Sequence, residues 1–216
     1  MARTGRPRAF DRDDAVDQAM QLFWQHGYDA TSLAQLKAEL GGGISAPSFY
    51  AAFGSKEALF DECVQRYLET FAQVTECLWD ETLPPRQAIE TALRQSARMQ
   101  CDDGHPKGCM VTLGVMSAPS PENAHVAQAL THSRARTRAG IVACVERGVS
   151  EGLLADDTNA PAMATVFDSF LQGISILARD NTPHEVIDAA ITQVLLTWDI
   201  AAATGPSPEA RHSAVQ

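Results

Sequence analysis

Several things are missing from this chain of 216 residues, and each absence excludes something. No stretch approaches the run of about 18 apolar residues that a bilayer-spanning helix requires. The basic start, Met1 to Phe10, has no apolar segment behind it, which reads against export. The five cysteines (Cys63, Cys77, Cys101, Cys109 and Cys144) are odd in number and form no CxxC pair, so reduced thiols in a cytoplasm are expected. GxSxG, P-loop, GxGxxG and HExxH patterns are absent, and the six histidines (His26, His105, His125, His132, His184 and His212) show no metal-ligand spacing. No catalytic group, metal or cofactor is therefore expected. A basic excess is also missing: 17 Lys and Arg stand against 27 Asp and Glu, a net charge of −10, which taken alone argues against nucleic acid.

The distribution of charge reverses that inference. Residues 1–56 carry six basic residues (Arg3, Arg6, Arg8, Arg12, Lys37 and Lys56) and six acidic ones, so the whole −10 belongs to residues 57–216. The first eight residues alone net +3. Such asymmetry suggests segments with separate tasks. With 45% hydrophobic residues the chain has enough apolar side chains for one or two packed domains.

Apolar periodicity predicts helix after helix and no β alternation. Asp11 caps a first helix whose apolar residues, Val16, Ala19, Met20 and Phe23, run up to Gly27. A second helix opens at Thr31 or Ser32 and ends at Gly41-Gly42-Gly43. A short third spans about Ser45 to Phe53, with Pro47 tolerated in its first turn. Ser55 caps a long fourth helix with an inner face from Leu59 to Val74. Further helices are expected over about 85–100, 109–117, 122–151, 160–179 and 183–203. The last dozen residues, from Gly205, are polar and read as a frayed tail.

Residues 31–53, helix, glycine turn and short helix, match a helix-turn-helix, whose second helix enters the DNA major groove. The free N–H groups of the helix capped at Ser55, with Lys56, suit a phosphate. The arm Arg3, Arg6, Arg8 suits phosphates or a minor groove. Periodicity alone leaves an ordinary helical hairpin as the alternative.

Three runs carry a resemblance: Gly5-Arg6-Pro7-Arg8, AMQLFWQHGYDATSL over 19–33, and ISAPSFYAAFGSKEALF over 44–60. Together they resemble the TetR family of bacterial transcriptional regulators. The resemblance implies an all-α fold, with an arm and helix-turn-helix domain over 1–56 and a helical ligand-binding and dimerisation domain over 57–204, leaving 205–216 as the tail. By position, Thr31 and Ser32 open the helix crossing the backbone. Ser45, Ala46, Pro47, Ser48, Phe49 and Tyr50 form the recognition helix, Tyr50 and Lys56 fall where the family commonly touches phosphate, and Phe49 and Phe53 are expected to pack the small domain. Two departures stand out. The family usually has one glycine where this chain has three, and arginine is frequent at the position of Ala46. Base readout is then expected to lean on Ser45, Ser48 and apolar contacts.

The implied partners are a palindromic double-stranded operator, a small-molecule effector of unknown identity and a second copy of the chain. A stripe along the penultimate helix and one along the last offer Phe170, Ile174, Val194 and Trp198 as dimer contacts, or as a plain core. Phe71, Met99, Met110, Met116 and Phe167 either line an apolar pocket or pack a dense core. Cys109, at a helix start with Lys107 nearby, is a candidate reactive thiol or an inert one. Cys101-x3-His105-x3-Cys109 has metal-like spacing, but Gly104, Pro106 and Gly108 interrupt it and a fourth ligand is not evident. Arg134, Arg136 and Arg138 are read as a solvated helix face, with a DNA or anionic-ligand role as the alternative. The competing readings of the whole chain are a small all-helical enzyme and a helical adaptor for protein partners.

Overall fold

The computed structural model describes residues 10–116 and 120–204. Among these residues there is no strand. Nine α-helices run in order: α1 Arg12–His26, α2 Leu33–Glu39, α3 Ala46–Phe53, α4 Lys56–Glu69, α5 Pro85–Gln100, α6 Met110–Met116, α7 Gln128–Ser150, α8 Ala160–Arg179 and α9 His184–Thr204. A three-residue 3-10 turn, Leu40–Gly42, follows α2, and two longer 3-10 segments, Phe71–Trp79 and Pro121–Ala127, join α4 to α5 and α6 to α7.

The caps at Asp11 and Ser55 are those the sequence calls for, and Ser32 and Ser45 cap the helices expected to start there. Asp11 accepts from the amides of Asp13 and Asp14, Ser32 from Gln35, Ser45 from Ser48 and Ser55 from Ala58. Each satisfies an N–H that a helix start leaves without a partner. Two expected helices are shorter than the pattern suggested. α4 ends at Glu69, because Thr70 leaves helical geometry (φ −120°, ψ −84°) and the chain tightens into the first 3-10 segment. Likewise α7 begins at Gln128, after the 3-10 turns that open on Pro121.

Two cores result. The first joins Val16, Phe23 and Trp24 of α1, Leu36 and Phe49 of the next two helices and Leu59, Phe60, Val64 and Tyr67 of α4. It also takes in Met110, Val111 and Leu130, so this core extends well past residue 56. The second is built by α5, α7, α8 and α9 around Ile89, Leu93, Phe167 and Ile174. There α7 and α9 meet so closely that a Cβ on Gly148 would overlap the Trp198 ring.

The two cores are bolted together by polar contacts. Trp24 donates its indole N–H to the Gly108 oxygen (3.2 Å) and stacks on His105 with ring centroids 4.5 Å apart. Arg179 of α8 donates to the main-chain oxygens of Lys107, Gln25 and Trp24. On the first core's own side, Asp29 accepts from the Ser120 amide and the Asn123 side chain, and His125 lies 2.8 Å from Glu57. The 101–109 segment is therefore a packed joint between the cores. His105 turns toward Trp24, and no group of three metal-ligating side chains occurs among the described residues.

Candidate nucleic-acid interface

The turn between α2 and α3 follows from its three glycines. Gly41, Gly42 and Gly43 have φ of 58°, 74° and 106°, values that L side chains rarely adopt. At Gly41 space is short as well, since a Cβ there would lie 2.6 Å from that of Phe10. The Gly41 amide donates to Gln18 Oε1, Gly43 to the Leu40 oxygen and Ile44 to the Lys37 oxygen. The turn is thus hydrogen-bonded along its length, and it fixes where α3 begins.

α3 divides into two faces. Phe49 is fully buried and packs on Phe53 and Tyr50. Phe53 in turn is flanked by Phe10 and by the Arg12 guanidinium. Arg12 also donates to the Ala52 oxygen and, by both ends of its fork, to Glu62, which ties α3 to α1 and α4. The opposite face presents Ser45, Pro47 and Tyr50, with Tyr50 51% exposed. The Ser45 and Ser48 hydroxyls are bonded to each other at 2.9 Å. Lys56 lies over the Tyr28 ring, 4.1 Å from its centroid, and burial lowers its pKa. Of the acidic residues of α1, Asp13 and Asp17 pair with Arg66 of α4, so part of that negative charge is neutralised within the head.

Within the recognition-helix set, Phe49 is a packing residue with no surface to offer DNA. One expected contact changes role. Thr31 is fully buried and donates its hydroxyl to the Gly27 oxygen (2.7 Å), closing the end of α1. Ser32 and Tyr50 stay exposed, while Ala46 and Ser48 are half-buried. Arg3, Arg6 and Arg8 lie outside the described residues. Tyr28, on which Lys56 rests, escaped the sequence reading, which treated each residue singly.

In the body, a cleft of about 50 Å³ opens between the 71–79 segment, α5, α6 and α7. Tyr67, Met99, Gln100, Cys109, Arg134 and Gln172 are among its walls. A second cavity of about 150 Å³ shares Ala72, Thr75, Ser133 and Thr137 with it. Of the expected apolar lining only Met99 borders the cleft. Phe71 packs on Trp24 and His105, while Met110 and Phe167 are buried in the cores, and the Met116 side chain lies outside the described set. Cys109 does border the cleft, and its sulfur accepts from the Tyr67 hydroxyl at 3.3 Å. Lys107 is engaged elsewhere, with Asp103 (2.8 Å) and the Cys101 oxygen.

The expected dimer contacts split in the same way. Ile174 and Trp198 are internal, because their side of each helix packs the subunit's own core. Phe170 and Val194 are half-buried, beside exposed Val166 and Leu177 on α8 and Val186 and Leu196 on α9.

Relatives and solved structures agree with this architecture. Residues 15–63 match the family model for bacterial regulatory proteins of the tetR family. The HTH-type transcriptional repressor ComR of Escherichia coli K12 is 32% identical over 195 residues, covering 90% of this chain and 91% of its own. The repressor BdcR of the same organism is 38% identical over 113 residues, 52% of this chain and 56% of its own. Among solved structures, a cysteine variant of the TetR family regulator CifR, complexed with 26-bp double-strand operator DNA, is 36% identical with a TM-score of 0.79, across 89% of this chain and all of that one. With a full-length relative of this similarity and the helix-turn-helix itself in place, the chain belongs to the TetR family of transcriptional regulators.

Proposed function

We propose that the protein is a dimeric repressor that occupies a palindromic operator in the cytoplasm and leaves it when a small molecule binds the body. The observation that carries this is the two-sided recognition helix: Phe49 and Phe53 lock one face into the core, while Ser45, Pro47 and Tyr50 remain on the other. A helix held from behind offers a preformed surface to a major groove. Ser32, Ala46, Ser48 and Lys56 belong to the same DNA-facing set, and the arm Arg3, Arg6 and Arg8 adds phosphate contacts. No chemical reaction is assigned to the chain.

A palindrome requires two heads, and the outer faces of α8 and α9 supply the means of pairing. In the most apolar window of α9 only 22% of residues are buried within the subunit, and 39% in that of α8. Helices this apolar and this exposed suit burial against a second copy. In this division residues 1–56 read DNA and 57–204 respond to effector and pair subunits, although α4 packs into the first core with the helices before it. Release is a population shift: the effector favours a body whose paired heads no longer match the half-site spacing. Cys109 lines the cleft half-exposed, so a soft electrophile is a second class of effector there.

Selection of genomic fragments by the purified protein tests the operator assignment; failure to enrich any site at low salt would overturn it. Phe170→Glu or Val194→Glu tests pairing, with monomers and lost operator binding expected, and dimers of unchanged affinity as the contrary result. Alkylation of Cys109 that leaves operator affinity unchanged removes the thiol reading.

A further inference from the structure

Resting on the reading of the body as an effector domain, we propose that the cleft beside α7 takes a small organic carboxylate clamped by Arg134. Arg134 stands out among the arginines of its helix. Arg136 pairs with Glu76 and Arg138 with Asp168, whereas Arg134 has no carboxylate partner among the described residues. Its bonds go to neutral groups, the Val111 oxygen at 3.2 Å and the Thr131 hydroxyl at 3.3 Å. A guanidinium carries five N–H donors in a planar fork, so most of its capacity remains for a ligand. A half-buried cation with only neutral partners is a position that an incoming anion improves.

The rest of the cleft defines the anion. Thr112, Ser133 and Thr137 bring hydroxyls to the walls, and Met99, Val111 and Leu171 form an apolar side. One end of the ligand is therefore charged and the other apolar. The planar fork matches a carboxylate in two parallel hydrogen bonds, and one uncompensated positive charge balances one negative charge. Inorganic phosphate carries no apolar part for Met99 and Leu171 and brings more charge than Arg134 alone offsets. The cleft of about 50 Å³ admits a short chain, and the adjoining 150 Å³ cavity gives a tail room across the shared Thr75 and Thr137. For scale, a cavity of about 150 Å³ holds a benzene ring. Binding would also draw Arg134 away from Val111, near the start of α6. That start adjoins Gly108, whose oxygen holds Trp24 of the head.

The test is calorimetric titration of the full-length protein with butyrate and benzoate. Butyramide and benzamide serve as neutral isosteres, and inorganic phosphate as the anion without an apolar part. Saturable binding of the acids is expected, with the amides and phosphate at least tenfold weaker. Arg134→Gln should weaken the acids more than tenfold, whereas Arg98→Gln, on the exposed side of α5, should not. Circular dichroism melts confirm that both variants fold, and R134K, keeping the charge but not the fork, should fall between. Acid binding unchanged in R134Q, amides bound as well as acids, or no acid binding by the wild type overturns the carboxylate. Operator affinity measured on the same samples decides the regulator reading separately: a wild type that binds DNA but no acid leaves that reading standing.

Discussion

Arg179 of α8 donates from Nη2 to the main-chain oxygen of Trp24 at 3.1 Å, across 155 positions of sequence. The same guanidinium holds the oxygens of Gln25 (3.1 Å) and Lys107 (3.0 Å). One side chain of the body thereby closes the C-terminal end of the first helix of the head. Burial lowers its pKa, and three carbonyl dipoles offset that cost in place of a carboxylate. Arg179→Met should remove all three bonds and lower stability by about 2 kcal/mol, read from urea denaturation. It should also weaken operator binding while the protein stays dimeric. Stability and affinity both unchanged would show that the head is held by other means.

The glycine turn makes a graded prediction. Gly42→Ala meets no atom within 4 Å and incurs only the strain of its positive φ, about 1–2 kcal/mol. Gly41→Ala adds a collision with Phe10 to similar strain, so its melting temperature and operator affinity should both fall further. Equal losses at the two positions would mean that Phe10 moves aside freely.

Neighbouring aromatic residues on α3 should behave in opposite ways. Phe49→Ala empties a fully buried site and should lower stability by about 3–5 kcal/mol. Tyr50→Ala removes a half-exposed ring and should leave stability within about 0.5 kcal/mol of the original while weakening DNA binding. A large stability loss at Tyr50 would contradict its assignment to the DNA face.

Acid stability follows from ion pairs within α5 and between α5 and α9. Hydrogen bonding from Arg94 lowers the Glu90 pKa, and hydrogen bonding from Arg86 lowers that of Asp199. A carboxyl group lowered on folding contributes stability that is complete above its unfolded pKa, near 4. That contribution disappears as pH falls through the folded value. Urea midpoints should therefore drop below about pH 4, and Arg86→Met should flatten that limb. These groups are partly exposed, so the effect should stay within about 1 kcal/mol per pair. An unchanged acid limb in the variant would remove these pairs as its cause.

The head was legible because its signals are local. Caps at Asp11, Ser32, Ser45 and Ser55 and the glycine turn mark element ends within a few residues, and the structure places the caps at those positions. What was hidden depended on how one element packs against another. The burial of Thr31 depends on the end of α1, and the resting place of Lys56 depends on Tyr28. Apolar spacing marks an inner face on α8 and α9 but does not separate a core from a subunit interface, so Ile174 and Trp198 were grouped with Phe170 and Val194. The cleft was sought among aromatic and methionine residues. Its walls mix hydroxyl and amide side chains with small apolar ones, and Arg134 becomes distinct only once its helix neighbours have found their carboxylates.

The central claim is that two such heads, paired through α8 and α9, read one palindrome. Its most direct test is equilibrium binding of the purified protein to a selected operator and to the isolated half-site, over a range of salt. The account predicts that the full palindrome binds at least about a hundredfold tighter than the half-site and that log affinity falls linearly with log salt. It also predicts that Lys56→Gln makes that slope shallower by roughly one per subunit. Equal affinity for half-site and palindrome, or affinity indifferent to salt, would contradict it.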